Sequence, residues 1–211
     1  MKLRGLIILF ALTVSTATAF GQIKAKAISY VVTVDLNVFA GDYAEELSQK
    51  TCTFEVDAYY TPEKLKTMVR AISRPADYKM TIRQRLYDLK SKDEYNIDHD
   101  TKYMLIKKNQ NFKLTATGKQ KTILGYVCKE YNLTDYRKVN VTLWVTDKLQ
   151  ANVCPVGNYS IKGTALEVVL SNGLHYVATD QAEGQLDQNF FDVPKDYQQE
   201  VVPAPAVQKS K

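Results

Sequence analysis

Ile28-Ser29-Tyr30-Val31-Val32-Thr33-Val34-Asp35-Leu36-Asn37-Val38 decides the fold class. Ile28, Tyr30, Val32, Val34, Leu36 and Val38 fall on every second position, with Ser29, Val31, Thr33, Asp35 and Asn37 between them. Side chains of a strand point alternately to its two faces, so this period of two predicts a long strand with one apolar face. The pattern returns in Cys52, Phe54, Val56, Ala58 and Tyr60, set against Thr53, Glu55 and Asp57. Between the two runs, Ala44-Glu45-Glu46-Leu47 suits a helical turn.

Outward from this pair the chain keeps reading as strand. Leu65, Met68, Val69 and Ile72 also fit helical spacing after Thr61-Pro62. The strand reading of 65–72 continues the meander and is the one adopted. Arg74-Pro75-Ala76-Asp77 is a loop by its proline. Strands follow at 81–89, 94–97 and 102–107, the last two flanking a hairpin turn at Asp98-His99-Asp100-Thr101. Residues 122–132 read as one strand in which Gly125 marks a bulge or kink. Val141, Leu143 and Val145 alternate with Thr142, Trp144 and Thr146 in another. The stretch 149–161 is irregular. Ser171-Asn172-Gly173 joins 164–170 to 174–179, with Asn-Gly as the hairpin signal. Phe190-Phe191, Pro194 and Tyr197 suit a docked C-terminal segment. About nine sequential strands with little helix imply a mainly β fold, a curved antiparallel sheet with a small helical or loop cover.

The length of 211 residues suits one domain. Lys2 and Arg4 precede an uncharged apolar run from Gly5 to Val14, and small residues follow at Ala17, Ala19 and Gly21. This is the layout of a secretory signal peptide, with cleavage after Ala19 or, as the favoured choice, after Gly21. The apolar run is far short of the ~20 residues that span a bilayer. The division is therefore 1–21 signal peptide, 22–200 a single β domain, and 201–211 a disordered tail containing Pro203 and Pro205. The product is exported, to the periplasm or beyond, and does not span the membrane. Loss of Lys2 and Arg4 lowers the net charge from +5 to +3, too little to argue for nucleic acid.

The chain carries 2 His and 3 Cys, which leaves little material for a zinc site. His99 between Asp98 and Asp100 reads as a polar turn rather than a metal site. His175 has no partner in the sequence, and no serine stands in a Gly-x-Ser-x-Gly elbow. No catalytic residue, metal or cofactor is expected, and the chain is read as a non-enzyme. In an oxidising compartment Cys128 and Cys154 are the first choice for a disulfide, against three separate buried thiols. Tyr30, Val32, Val34, Leu36, Phe54 and Val56 are either plain core or the lining of a ligand groove. Trp144, a further lining candidate, faces away from Leu143 and Val145, and its indole needs cover.

Several stretches together resemble a known family. They are Thr81 to Asp88, Tyr95-Asn96-Ile97-Asp98, Thr101-Lys102-Tyr103, Lys121 to Tyr131 with its Ile123-Leu124-Gly125-Tyr126-Val127-Cys128 core, Leu143 to Leu149, and Phe191 to Tyr197. The pattern is similar to that of the DUF4412-type secreted proteins of Bacteroidetes-like bacteria. Such proteins resemble the LolA/LolB lipoprotein-carrier fold, a half-open antiparallel barrel around an apolar cavity that receives acyl chains. The resemblance brings no catalytic residues. Together these readings lead to the expectation of an extracytoplasmic binding protein that holds a lipid, an acyl chain or another apolar ligand. The alternative is an envelope module with a filled core that contacts another envelope protein.

Overall fold

The computed structural model describes residues 21–73, 84–108, 112–135, 138–150 and 152–203. It is mainly β: a single curved, unclosed sheet of twelve strands with few helical turns. In chain order the strands are β1 (Gln22–Asp35), β2 (Thr51–Tyr60), β3 (Lys64–Ser73), β4 (Gln84–Asp88), β5 (Glu94–Asp98), β6 (Tyr103–Lys107), β7 (Thr115–Ile123), β8 (Tyr126–Thr134), β9 (Asn140–Thr146), β10 (Thr164–Leu170), β11 (Leu174–Asp187) and β12 (Gln198–Val202). Their order across the sheet is β12-β6-β5-β4-β3-β2-β1-β11-β10-β9-β8-β7. All neighbours are antiparallel except β12, which runs parallel to β6. The expected signal peptide, apart from Gly21, falls on residues outside those described, as does most of the expected tail.

The deciding stretch forms the centre of the sheet. β1 pairs with β2 from Lys26↔Tyr60 to Asp35↔Thr51, and with β11 from Gln22↔Asp187 to Val34↔Leu174. The strand stops three residues short of the predicted end. The Oδ1 of Asp35 accepts the N–H of Asn37 at 3.0 Å, and Leu36–Phe39 closes into one helical turn, α1. An aspartate that satisfies a free N–H is a good helix cap, so the alternation stops counting there. A 3-10 turn follows at Gly41–Glu46, overlapping the expected turn near Ala44. Residues 64–73 form a strand, as adopted above.

Two sequence readings need correction. The stretch 122–132 is not one strand with a kink. Leu124 and Gly125 have φ of 50° and 79°, which makes a two-residue hairpin turn between β7 and β8. The bulge lies earlier, where the register slips between Ala116 and Gln120 around Gly118, at φ 84°. The second correction concerns the C-terminus. Val201 and Val202, placed in a tail by sequence, complete β12 on the β6 edge.

Three clusters fill the molecule. The first joins β1 and β2 to Leu65, Tyr87, Leu89, Val153 and Leu166. The second joins Leu133, Leu143, Val145 and Val168 to Cys154, Val156, Tyr159 and Ile161. The third holds Leu86, Ile97, Met104 and Ile106 under Phe191 and its neighbours, the docked C-terminal segment. Residues 152–163 have no regular structure, yet Val153, Cys154, Val156, Tyr159 and Ile161 are all buried. This loop is the cover that the sheet requires. It closes on itself through Asn152 N–H to the Ile161 carbonyl at 3.0 Å, and is pinned to β10 by Ala165 N–H to the Val153 carbonyl at 2.8 Å.

Candidate functional site

The residues singled out as groove lining lie in the first cluster. Tyr30, Val32, Val34, Leu36, Phe54 and Val56 are each at most 7 % exposed and pack against one another. Tyr30 also donates its hydroxyl to the Ala165 carbonyl at 2.7 Å. That carbonyl lies where the β9–β10 register skips Leu166, so a side chain supplies the partner there. Trp144 packs against the same cluster, and the Lys121 ammonium sits 4.1 Å from its ring centre. The indole's cover is thus a cation and the core edge. Lys121 also pairs with Glu167, whose Oε1 lies 3.1 Å from His175 Nε2. His99, in its turn, bonds Tyr197 through Nδ1 and Gln84 through Nε2, both at 2.7 Å.

Cys128 and Cys154 are free thiols here, not a disulfide, and Cys52 forms no disulfide either. Cys128 belongs to the first cluster and Cys154 to the second. Burial pushes the Cys154 thiol up to about 12 and raises Cys128 as well. Such thiols are poor nucleophiles, because the thiolate is the reactive form. Among the described residues, no three His, Cys, Asp or Glu side chains converge as metal ligands would.

The open space lies beside the buried loop, not inside the first cluster. A cleft of about 320 Å³ is lined by Leu114, Tyr131 of β8, Val145 of β9, and Ser160, Ile161 and Lys162 of the loop. Its walls are apolar along Leu114, Val145 and Ile161. Lys162 and Tyr131 are the lining residues with long polar side chains, and the Ser160 hydroxyl is buried without a hydrogen-bond partner among the described residues. Ser160 sits at φ 55°, which turns the loop from Tyr159 in the second cluster back toward β10. A wider, more polar groove of about 560 Å³ runs along Lys113, Thr115, Asn132, Thr134, Asn140 and Thr142.

A second, smaller space borders the adjoining stretch of the same loop. This recess of about 40 Å³ is bordered by Arg85, Lys92, Glu94 and Lys107 from the β4–β6 part of the sheet. Phe112, Asp135 and residues 156–159 close it. Here the sheet face is polar. Glu94 accepts from Asn96 Nδ2 at 2.9 Å and pairs with Lys107 at 3.3 Å. Arg85 donates to the Val156 carbonyl of the loop at 3.4 Å. Burial works against its charge, but Tyr87, Tyr176 and Glu94 more than offset this and hold its pKa above the ordinary guanidinium value. The Tyr87 hydroxyl is pushed well above the tyrosine range, first by burial and then by Glu94. Phe112 meets Tyr159 edge to face, ring centres 5.0 Å apart, so the entry to β7 is stacked on the loop.

Sequence reasoning missed both spaces. Residues 149–161 read as irregular, and irregular segments ordinarily lie in solvent. The available signal was composition: Val153, Cys154, Val156, Tyr159 and Ile161 are too apolar for a solvated loop.

Two solved structures share this fold at low sequence identity. PNGF-II in the C2 space group aligns with a TM-score of 0.56 at 12% identity, over 86% of this chain and 31% of that one. Its P21 form gives 0.54 and 13%, over 86% and 32%. The chain thus spans about a third of the length of PNGF-II. An uncharacterized conserved protein from Thermus thermophilus aligns at 0.44 and 12%, over 85% and 90%. A comparison with curated proteins finds no match. The model of the family described as "Domain of unknown function (DUF4412)" matches residues 43–153, more than half of the chain, and the chain belongs to that family.

Proposed function

We propose that the exported chain is a non-catalytic binding protein whose cleft beside the buried loop holds an apolar or amphipathic ligand, such as an acyl chain. The observation that carries this reading is the cleft of about 320 Å³ between β8–β9 and the loop, with Leu114, Val145 and Ile161 on its walls. Spaces of that size suit small ligands, which are bound mainly by apolar surface with a few polar groups for orientation. At about 0.8 kcal/mol per buried methylene, an acyl segment of about six carbons gains roughly 5 kcal/mol. The role is that of the LolA/LolB carriers, but with the ligand at the flank of the sheet. The place of work is the periplasm or the exterior, as the leader sequence implies. Among the described residues no helix is long and apolar enough to cross a membrane.

The second reading, an envelope interaction module, is favoured by the solid packing of Tyr30, Val32, Val34 and Phe54 in the first cluster. Titration with the neutral fluorescent probe N-phenyl-1-naphthylamine separates the two. The carrier reading expects saturable binding at one site per chain, lost in Leu114→Asp, and lipid in mass spectra of natively purified protein. No saturable binding together with no co-purifying lipid leaves the interaction module.

A further inference from the structure

We infer that the Arg85 recess takes the anionic head, a carboxylate or a phosphate, of the amphipathic ligand whose apolar body lies in the neighbouring cleft; this rests on the reading just proposed. The recess is short of acceptors. Asn158 is only 8 % exposed and lines it, and its Nδ2 has no hydrogen-bond partner among the described residues. A buried amide N–H₂ left unpaired is costly, and most such groups in folded proteins have a partner. Arg85 makes no ion pair among the described residues; it donates a long bond to the Val156 carbonyl and lies beside the Tyr87 hydroxyl.

The nearby carboxylates are already engaged. Glu94 serves Lys107 and Asn96, and Asp135 accepts the Val139 N–H at 3.0 Å. With Arg85, Lys92 and Lys107 set against Glu94 and Asp135, the lining carries one more positive than negative charge. A planar guanidinium fork beside a free amide donor matches the two oxygens of a carboxylate or phosphate. A lone water is the other occupant such a space admits, but it would leave the charge unbalanced.

The two spaces border consecutive stretches of one segment. Residues 156–159 border the recess and Ser160, Ile161 and Lys162 border the cleft, and the same division recurs in Phe112, which lines the recess, and Leu114, which lines the cleft. Asn158 and Ile161 are three residues apart, at most about 11 Å along the chain. An amphiphile with a medium-length tail covers that distance.

The test compares dodecanoate, dodecyl phosphate and neutral dodecanol by calorimetric titration of the intact mature chain. Dodecanoate or dodecyl phosphate is expected to bind about tenfold or more tightly than dodecanol, and whichever anion is preferred identifies the head group. Arg85→Gln is expected to remove the preference while leaving dodecanol affinity within about twofold. Should that variant fold poorly, Asn158→Asp is nearly isosteric, places a carboxylate in the recess and is expected to remove the preference in the same way. Equal binding of all three ligands, or a preference that survives both variants, overturns the recess while the cleft stands. No binding by any of the three overturns the cleft reading and the recess with it.

Discussion

Replacing Tyr30 by phenylalanine removes one atom and tests how the centre of the sheet is joined to its cover. The side chain is 1 % exposed, and its hydroxyl donates to the Ala165 carbonyl at 2.7 Å. Ala165 stands at the β10 bulge, and its N–H bonds the Val153 carbonyl of the loop. The ring stays in Tyr30→Phe, so no cavity opens. What is lost is a hydrogen bond plus the solvation of a buried carbonyl, about 1–3 kcal/mol. With a urea m-value of about 2 kcal/mol per M for a chain of this size, the midpoint falls by roughly 0.5–1.5 M. Tyr59→Phe is the control: its hydroxyl reaches Asp57 only at 3.4 Å, so the expected loss is below about 0.5 kcal/mol. Equilibrium urea unfolding of the two variants, followed by tryptophan fluorescence and circular dichroism, gives the comparison. If Tyr30→Phe costs no more than Tyr59→Phe, the claim that Tyr30 ties β1 to the bulge is wrong.

Further outcomes are expected. Thiol titration should find three reactive groups in denaturant and essentially none in the native protein, since all three cysteines are buried and none is in a disulfide; one thiol in denaturant would mean that a bridge forms. Leu124→Asn should stabilise by about 0.5–1 kcal/mol, because the residue sits at φ 50° in a two-residue hairpin turn where Asn is preferred and Leu is strained; a lower thermal midpoint would contradict the turn assignment. Gly163→Ala should fail to fold or lose several kcal/mol, because an added Cβ would lie 2.1 Å from the Thr146 carbonyl oxygen; a fully soluble variant with an unchanged melting curve would refute that close approach. Alkali should weaken the fold. Burial keeps Cys154 protonated to about pH 12 and Tyr30 well beyond the tyrosine range, so the unfolded chain releases these protons first. Stability is then full below about pH 8.5 and declines as pH rises toward 12, which urea midpoints measured across that window will show; a flat profile would count against buried ionisable groups.

How far the sequence could be read depended on whether the signal was local. In β1 and β2 the period of two runs for many residues, and both strands follow it. Asn172-Gly173 carries its turn chemistry in two residues, and the hairpin forms there, with Gly173 at φ 90°. Leu124-Gly125 makes a similar turn, but Leu124 gives no polar cue, so two strands read as one. His175 had a recoverable partner. The Asn-Gly turn sets Val169 opposite His175, and Glu167, two residues back from Val169, lies on the same face. The lining residues were a different case. Alternation says that Tyr30, Val32 and Phe54 share a face, but what covers that face is a loop about one hundred residues downstream. Its side chains follow no period, because each of Val153, Cys154, Val156 and Tyr159 is placed by contacts rather than by a repeating backbone. The two spaces exist only once that loop is seated.

The seating of the loop also limits how a ligand can be held. In the half-open barrel expected from sequence, an apolar cavity inside the barrel receives the ligand. Here the cover contributes Val153, Cys154, Val156, Tyr159 and Ile161, each at most 7 % exposed. Re-exposing five such side chains costs on the order of 8–15 kcal/mol at roughly 1.5–3 kcal/mol each. That is about the entire stability of an ordinary domain, so opening the loop would amount to unfolding the protein. An acyl segment of about six methylenes, at roughly 5 kcal/mol, does not offset it. The proposed ligand must then bind with the loop in place, in the spaces that the loop borders. The one along residues 160–162 is apolar and bounded by Leu114, Val145 and Ile161; the one along residues 156–159 is polar and bounded by Arg85 and Asn158. A fixed cover with unlike stretches favours a ligand with unlike ends, and it makes binding depend on Phe112, Leu114 and residues 156–162 rather than on the strands that form the core.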